Sequence, residues 1–367
     1  MNSTSADRLR RREALQWMAG TGLAALGMTA GARGNTAPQG GAATGQPATA
    51  DFRAAHITAQ LQRLAPNVYA FVQHEGPGES GTGLSNAGVI AGPNHLLGID
   101  STAAPLQAQQ LIAQAHQATG KNFRRVVLTH AHPDHFMGLQ FFGDVDIIAQ
   151  ENCRPRVEYE ETTQDLQRFW TRHEGWSLGT DRFQPRLPNI TYRERMTLYD
   201  YGATEVRLLY LGRGHTGADT VVHLPNERIA FIGDIGFFKT TPMGNSAYFS
   251  DWIAVCDKLL AMPIDTYVPG HGPVGGRADL TDTRDYLALI TREARKFYDA
   301  GASPARAAID MNLGKFADWP DVDRITNNVT RLYQAFAGKA TVNIDFPSIL
   351  QTQKEYEALG GRKSHQR

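Results

Sequence analysis

The sequence predicts a layered α/β protein, and two patterns predict it. Short apolar runs bounded by Gly, Pro and Asn recur at 68–72, 87–91, 95–100, 124–129, 205–211, 220–224, 229–232 and 266–268, as buried strands do. Between two of these runs Ala108, Leu111, Ile112 and Ala115 recur at helical spacing, and Gly120 stops the helix. Strand hairpins therefore mix with a strand–helix–strand unit, which calls for helices layered on sheets.

Composition narrows the function class. A chain of 367 residues, 41% hydrophobic and 20% charged, can bury a large core. The 37 basic residues match 37 acidic ones, so there is no excess of Lys and Arg to hold a phosphate backbone, and nucleic acid is not an expected partner. Cys153 and Cys256 belong to no C-x-x-C pair and read as two partly buried free thiols, with one disulfide as the alternative.

Taken in order, residues 1–32 resemble an export signal. Arg8, Arg10, Arg11 and Arg12 precede a weakly apolar stretch from Trp17 to Thr29, and Ala30-Gly31-Ala32 offers a cleavage site. Arg11-Arg12 suits a bacterial twin-arginine route to the periplasm or beyond, although Ala14 stands where that pattern has a bulky apolar residue. The apolar stretch is too short and Gly-rich for a stable membrane anchor. Residues 33–51, rich in Gly, Ala, Thr, Pro and Gln, form a flexible linker. A folded domain over 52–279 follows. Residues 154–174 are helix-compatible and carry Phe169, Trp170 and His173, with Trp176 just beyond, a segment suited to a lid or to plain packing. Residues 280–359 form a helical extension, with stripes along 280–299 and 325–336 and an N-cap at Ser303-Pro304, that packs on the core or mediates a homodimer. Residues 360–367 are a frayed tail.

The chemistry gathers where apolar strands end. Val126-Val127-Leu128 runs into Thr129-His130-Ala131-His132-Pro133-Asp134-His135. In extended chain His130 and His132 point to the same side and can share one ion, while Asp134 and His135 turn toward a second. His215 sits among glycines after strand 205–211, Asp234 follows 229–232, and His271 follows 266–268. An isolated histidine at a strand end is ordinarily structural, but four such strand ends in one chain point to a metal site. Imidazole with carboxylate suits zinc, with iron or manganese as alternatives. Asp100, ending strand 95–100, reads either as the partner of a ligand histidine or as a helix N-cap.

The set His130-x-His132-x-Asp134-His135, His215, Asp234 and His271 resembles the metallo-β-lactamase superfamily in number, order and spacing, over about residues 65–275. The resemblance implies a four-layer αββα sandwich with a dinuclear site at one edge between the sheets. It implies His130, His132 and His215 as ligands of one zinc, Asp134, His135 and His271 as ligands of the second, and Asp234 as the bridge. Asp100 matches the superfamily's acidic position at a strand end. Position 234 is Asp, where many true β-lactamases have Cys; in this the chain is similar to hydroxyacylglutathione hydrolase and lactonases, which moves the expected activity away from antibiotics. The leader and helical tail are similar to exported, quinoprotein-associated metallohydrolases.

Two zinc ions lower the pKa of bound water to about 7 and stabilise a developing oxyanion. The expectation is a dinuclear zinc hydrolase acting on an ester, thioester, lactone or amide bond, β-lactams included, with Asp134 both holding metal and relaying protons. One alternative is a dioxygenase of the persulfide type with a single iron; another is a non-catalytic metal-binding module. His74, Phe136, Phe237, Phe238, Tyr248 and Trp252 neighbour the motifs and are expected to wall a pocket for an acyl or aromatic small molecule.

Overall fold

A computed structural model describes residues 59–73, 84–163, 166–167 and 181–361. The expected leader and linker, His74 and its Gly-rich loop, the aromatic run Phe169 to Trp176 and residues 362–367 lie outside the described residues.

Two sheets form the centre. The first has seven strands in sequential order, β1 (Gln60–Ala65), β2 (Val68–Val72), β3 (Ala87–Ala91), β4 (Leu96–Ile99), β5 (Phe123–Val127), β6 (Asp146–Gln150) and β7 (Ile190–Tyr192). Its first four strands pair antiparallel, and β4 to β7 pair parallel. The second runs β12 (Thr266–His271), β11 (Ile229–Phe237), β10 (Val221–Leu224), β9 (Val206–Leu209) and β8 (Arg195–Leu198), with only β11 and β12 parallel. Helix α1 (Pro105–Thr119) makes the crossover that a parallel pair needs, between β4 and β5.

Side-chain alternation builds the layers. Val68, Ala70, Ile90, Ile99 and Val127 face Leu208, Val222, Phe231 and Val268 in a core between the sheets. The other face of the first sheet, with Phe71, Val89 and Val126, packs under Ala108, Leu111 and Ala115 of α1. The outer face of the second sheet, with Val221, Ala230 and Ile232, packs under α4 (Phe249–Ala261) and the C-terminal helices. Helix, sheet, sheet and helix thus make four layers. The C-terminal helices α5 (Arg277–Asp299), α6 (Pro304–Asp310), α7 (Ile325–Phe336) and α8 (Phe346–Ala358) share that last core, so the extension packs on the domain.

Local chemistry sets the element ends. Gly120 closes α1 at φ 68°, its N–H bonding the His116 carbonyl. Ser303 caps α6 by accepting from the Arg306 N–H at 3.2 Å. Asp100 does not cap α1, because four residues intervene and Ala104 holds the cap position. Sequence alone leaves 249–261 unassigned, although Trp252, Val255, Cys256 and Leu259 repeat at helical spacing and all are buried in α4. Strands β1, β6, β7 and β8 and helix α8 are likewise additions; most are short or partly polar. Asn86 joins the two sheets: its Nδ2 donates to the carbonyls of Pro269 (3.0 Å) and Gly272 (2.8 Å), on either side of His271. Both cysteines are buried and unpaired, and burial pushes both thiols up.

Candidate metal centre

The strand ends converge at one edge of the sandwich. Past β5 the chain bends at Thr129 and Ala131 and is extended at His132 (φ −84°, ψ 145°); His130 and His132 enter the same cluster while Ala131 joins the core. Pro133 then opens the short helix α2 (Pro133–Phe136), which carries Asp134 and His135 to a different position. His130, His132, His215 and Asp234 form one group of converging donor atoms, and Asp134, His135 and His271 a second.

Asp234 lies inside β11, not after a strand ending at 232. The β11–β12 pairing shifts register on both sides of Gly233, which turns the Asp234 carboxylate toward the clusters without ending the strand. Gly233 adopts φ 49°, and a Cβ there would sit 2.6 Å from Thr129 Oγ1. Gly270 has no room for a Cβ either, which would lie 1.8 Å from Asp234 Oδ1. Asp234 stands between the groups: Oδ2 is 3.2 Å from His215 Nε2 and 3.5 Å from His271 Nε2, and Oδ1 is 3.1 Å from His135 Nε2.

Hydrogen bonds behind the ligands fix which nitrogen faces in. Thr129 Oγ1–H donates to Asp100 Oδ2 (2.7 Å), so it accepts from His130 Nδ1–H (3.1 Å) and leaves Nε2 bare. Ser246 Oγ–H donates to the His215 carbonyl (3.4 Å), so it accepts from His132 Nε2–H (3.1 Å) and leaves Nδ1 bare. That Nδ1 is 3.1 Å from His130 Nε2 and 2.8 Å from His215 Nε2. The bare lone pairs of His130 Nε2 and His132 Nδ1 repel one another at 3.1 Å unless a cation lies between them. Burial holds His132 down at about 4, His215 at about 3, and His130 well below its usual range, so all three are neutral donors. The donor set therefore fits a divalent ion that accepts imidazole and carboxylate.

The second group is built differently. Asp100, at 2% exposure and in the left-handed region at φ 59°, accepts from Thr129 N–H (2.7 Å) and from His135 Nδ1–H (2.8 Å). His135 Nε2 faces Asp134 at 3.4 Å, and His271 Nε2 faces the same carboxylate at 3.1 Å. Burial disfavours charge on His271, but Asp234 and Asp134 outweigh it and lift its pKa to about 9. His135 is raised well above its usual range, Asp134 and Asp234 outweighing burial. Burial favours neutral carboxyls at Asp134 and Asp234, yet the surrounding histidines hold both well below the usual range.

The expected pocket walls divide. Tyr248 lines a cavity of about 540 Å³ that opens beside His132. Phe136, Phe237, Phe238 and Trp252 do not line it: they are 0–1% exposed and belong to the core. They do shape the site from behind, since Phe237 stacks on His271 (ring centres 5.0 Å apart) and Trp252 meets His215 edge-on at 5.2 Å. Arg156, Arg213, Ser246 and Asn343 line the cavity without any motif in the sequence to mark them. Asp219, at 4% exposure, closes the turn behind His215 by accepting from Thr216 N–H and Oγ1–H; its position at the end of the Gly-rich stretch 212–219 was the only signal.

Comparison with known proteins agrees with this geometry. A family model described as the metallo-β-lactamase superfamily matches residues 80–271. A linear primary-alkylsulfatase of Pseudomonas sp. (strain ATCC 19151) is 23% identical over 323 residues, 75% of this chain and 60% of that protein. The chain thus spans less than two thirds of that relative's length. A type 2 metallo-β-lactamase of Bacillus sp. (strain 170) is 27% identical over 213 residues, 55% of this chain and 72% of the relative. Among solved structures, a metallo-β-lactamase from Pontibacter korlensis superposes with a TM-score of 0.50 at 19% identity, covering 63% of this chain and 99% of its own, a likeness of fold.

Proposed function

The chain belongs to the metallo-β-lactamase superfamily, and from that premise we propose that it is a dinuclear zinc hydrolase acting on an ester, thioester, lactone or amide bond of a small molecule. The observation that carries this reading is the convergence of seven donors in two adjacent groups with Asp234 between them. His130, His132 and His215 would hold one ion, Asp134, His135 and His271 the other, and Asp234 would reach both. When bound, two such ions supply an activated water near neutral pH and stabilise negative charge on the substrate oxygen.

The protein's own groups do the rest. Thr129 and Ser246 hold His130 and His132 in the tautomers that aim Nε2 and Nδ1 inward. Asp100 does the same for His135. Asp134, at 15% side-chain exposure, is more open than Asp234 at 4%, which supports it as the carboxylate that would take a proton from the attacking water and hand it to the leaving group. Ala131, Pro155, Tyr159, Ala218, Tyr248 and Val342 give the cavity apolar walls for an acyl or aryl body. The alkylsulfatase relative adds sulfate esters to the substrates worth screening. Export through a twin-arginine-type leader belongs to the same reading, supported by Arg11-Arg12 and Ala30-Gly31-Ala32.

The test is turnover of chromogenic esters, thioesters, lactones and a β-lactam by zinc-loaded protein. Alanine at His132 or Asp234 is expected to lower kcat by at least about a thousandfold with the far-ultraviolet circular dichroism retained. Unchanged turnover in chelator-treated protein contradicts the reading.

A further inference from the structure

Among the described residues Arg331 is a charge with no counter-charge. It lies on α7 in the C-terminal extension and is 1% exposed. Its Nε donates to the Ala247 carbonyl (3.0 Å) and an Nη to the Ser246 carbonyl (3.3 Å), and its guanidinium lies 5.6 Å from the Tyr248 ring centre. Within the described residues no carboxylate reaches it. Nearby Arg324, by contrast, is 3.2 Å from Asp321. Burying a cation without a partner is expensive, and burial accordingly draws the Arg331 pKa down.

The place of this charge is informative. Ser246 and Tyr248, which Arg331 touches, both line the cavity beside His132. Arg213 stacks on the same Tyr248 ring at 4.3 Å, and Arg156 stacks on Tyr159, another wall residue, at 4.5 Å. Arg213 is matched by Asp251 at 2.6 Å, and Arg156 by Glu160. Asp251 and Glu160 are not wall residues, and among the described residues no Asp or Glu lines the cavity. Arg213 keeps Nη1, and Arg156 keeps Nε, uncommitted among the described residues. The cavity thus has apolar and tyrosine walls, two guanidinium edges at its surface and one unmatched positive charge directly behind.

We propose that this cavity takes substrates that carry a negatively charged group besides the bond that is cleaved, held in the field of Arg331 and met by Arg213 and Arg156. The proposal rests on the hydrolytic reading of the metal centre and narrows its substrate class to anionic molecules with an apolar body. It also gives the extension, which lies beyond the family match ending at residue 271, a part in choosing substrate.

Two esters of equal chain length test it on zinc-loaded protein: 4-nitrophenyl hexanoate, which is neutral, and mono-4-nitrophenyl adipate, which ends in a carboxylate. The expected kcat/KM ratio favours the adipate ester by roughly tenfold, the worth of one partly buried charge at this range. Arg331→Gln is expected to bring the ratio near one, and Arg331→Lys to keep most of it. A ratio near one in the unmodified protein, or equal losses on both esters in Arg331→Gln, overturns the proposal; the latter result assigns Arg331 to tying down 246–248 alone. Should neither ester be cleaved, the hydrolytic reading of these substrates fails separately. Calorimetry with hexane-1-sulfonate beside hexan-1-ol then decides the subsite. Sulfonate binding that Arg331→Gln weakens about tenfold supports it, and no binding, or binding unchanged in Arg331→Gln, refutes it.

Discussion

The two donor groups sit side by side yet balance charge in opposite ways. His130, His132 and His215 face one another as neutral imidazoles, with Asp234 the one carboxylate in their group among the described residues. His135 and His271 each face both Asp134 and Asp234 and hold their protons far more tightly. Without a cation the second group can neutralise itself through histidinium–carboxylate pairs. The first cannot, since protonating one buried imidazole would set it against two others. The first is therefore the more committed metal site, and the second the more pH-dependent one.

The largest expected consequence concerns metal loading. An ion entering the second group must displace the proton that His271 keeps up to about 9 and the one that His135 also holds tightly, so its zinc affinity is expected to climb by up to about a hundredfold per pH unit between pH 6 and 8. An ion entering the first group meets His132 and His215 already neutral above about 4, so its affinity stays nearly flat over that range. Competitive chelator titrations at several pH values read both constants; parallel pH slopes would erase the distinction.

Next in size are the groups behind the ligands. Ser246→Ala removes the acceptor for His132 Nε2–H and is expected to weaken the first ion about tenfold while leaving the second within about twofold. Asp100→Asn touches both groups, through His135 directly and through Thr129 to His130, and is expected to weaken both ions by about 10- to 100-fold. Equal weakening of both ions in Ser246→Ala would show that Ser246 supports the loop rather than the ligand.

The smallest effect is on the stability of metal-free protein. His132 and His215 are depressed, so the unfolded chain binds more protons below about 6.5 and stability falls as pH drops toward about 4 and 3. His271 is raised, so its contribution is complete below about 6.5 and is lost as pH rises through about 9. Thermal unfolding of the metal-free protein is therefore expected to peak near pH 6.5, and a monotonic profile would break the contrast.

The residues of the two donor groups were legible because apolar runs precede them in sequence, as Val126-Val127-Leu128 precedes His130, although Asp234 stands within its strand rather than after it. The four-layer architecture followed from the resemblance that those ligands carry. The cavity was not legible. Proximity in sequence to a motif put Phe237, Phe238 and Trp252 on its wall, but β11 continues through Phe237, every residue in it buried. The actual wall joins segments far apart: Arg156 Nη1 donates to Asn343 Oδ1 at 2.6 Å across 187 positions, a pairing that neither periodicity nor spacing encodes. Arg331 gave no warning either, since a lone Arg in an amphipathic helix reads as its solvated face.

Metal content per chain, measured by elemental mass spectrometry on zinc-reconstituted protein alongside its turnover, tests the central claim most directly. About two zinc ions per chain, with turnover that disappears as they are removed, is the predicted result. Protein that retains less than about one ion per chain after gel filtration, or that turns substrate over equally well with none, would contradict it.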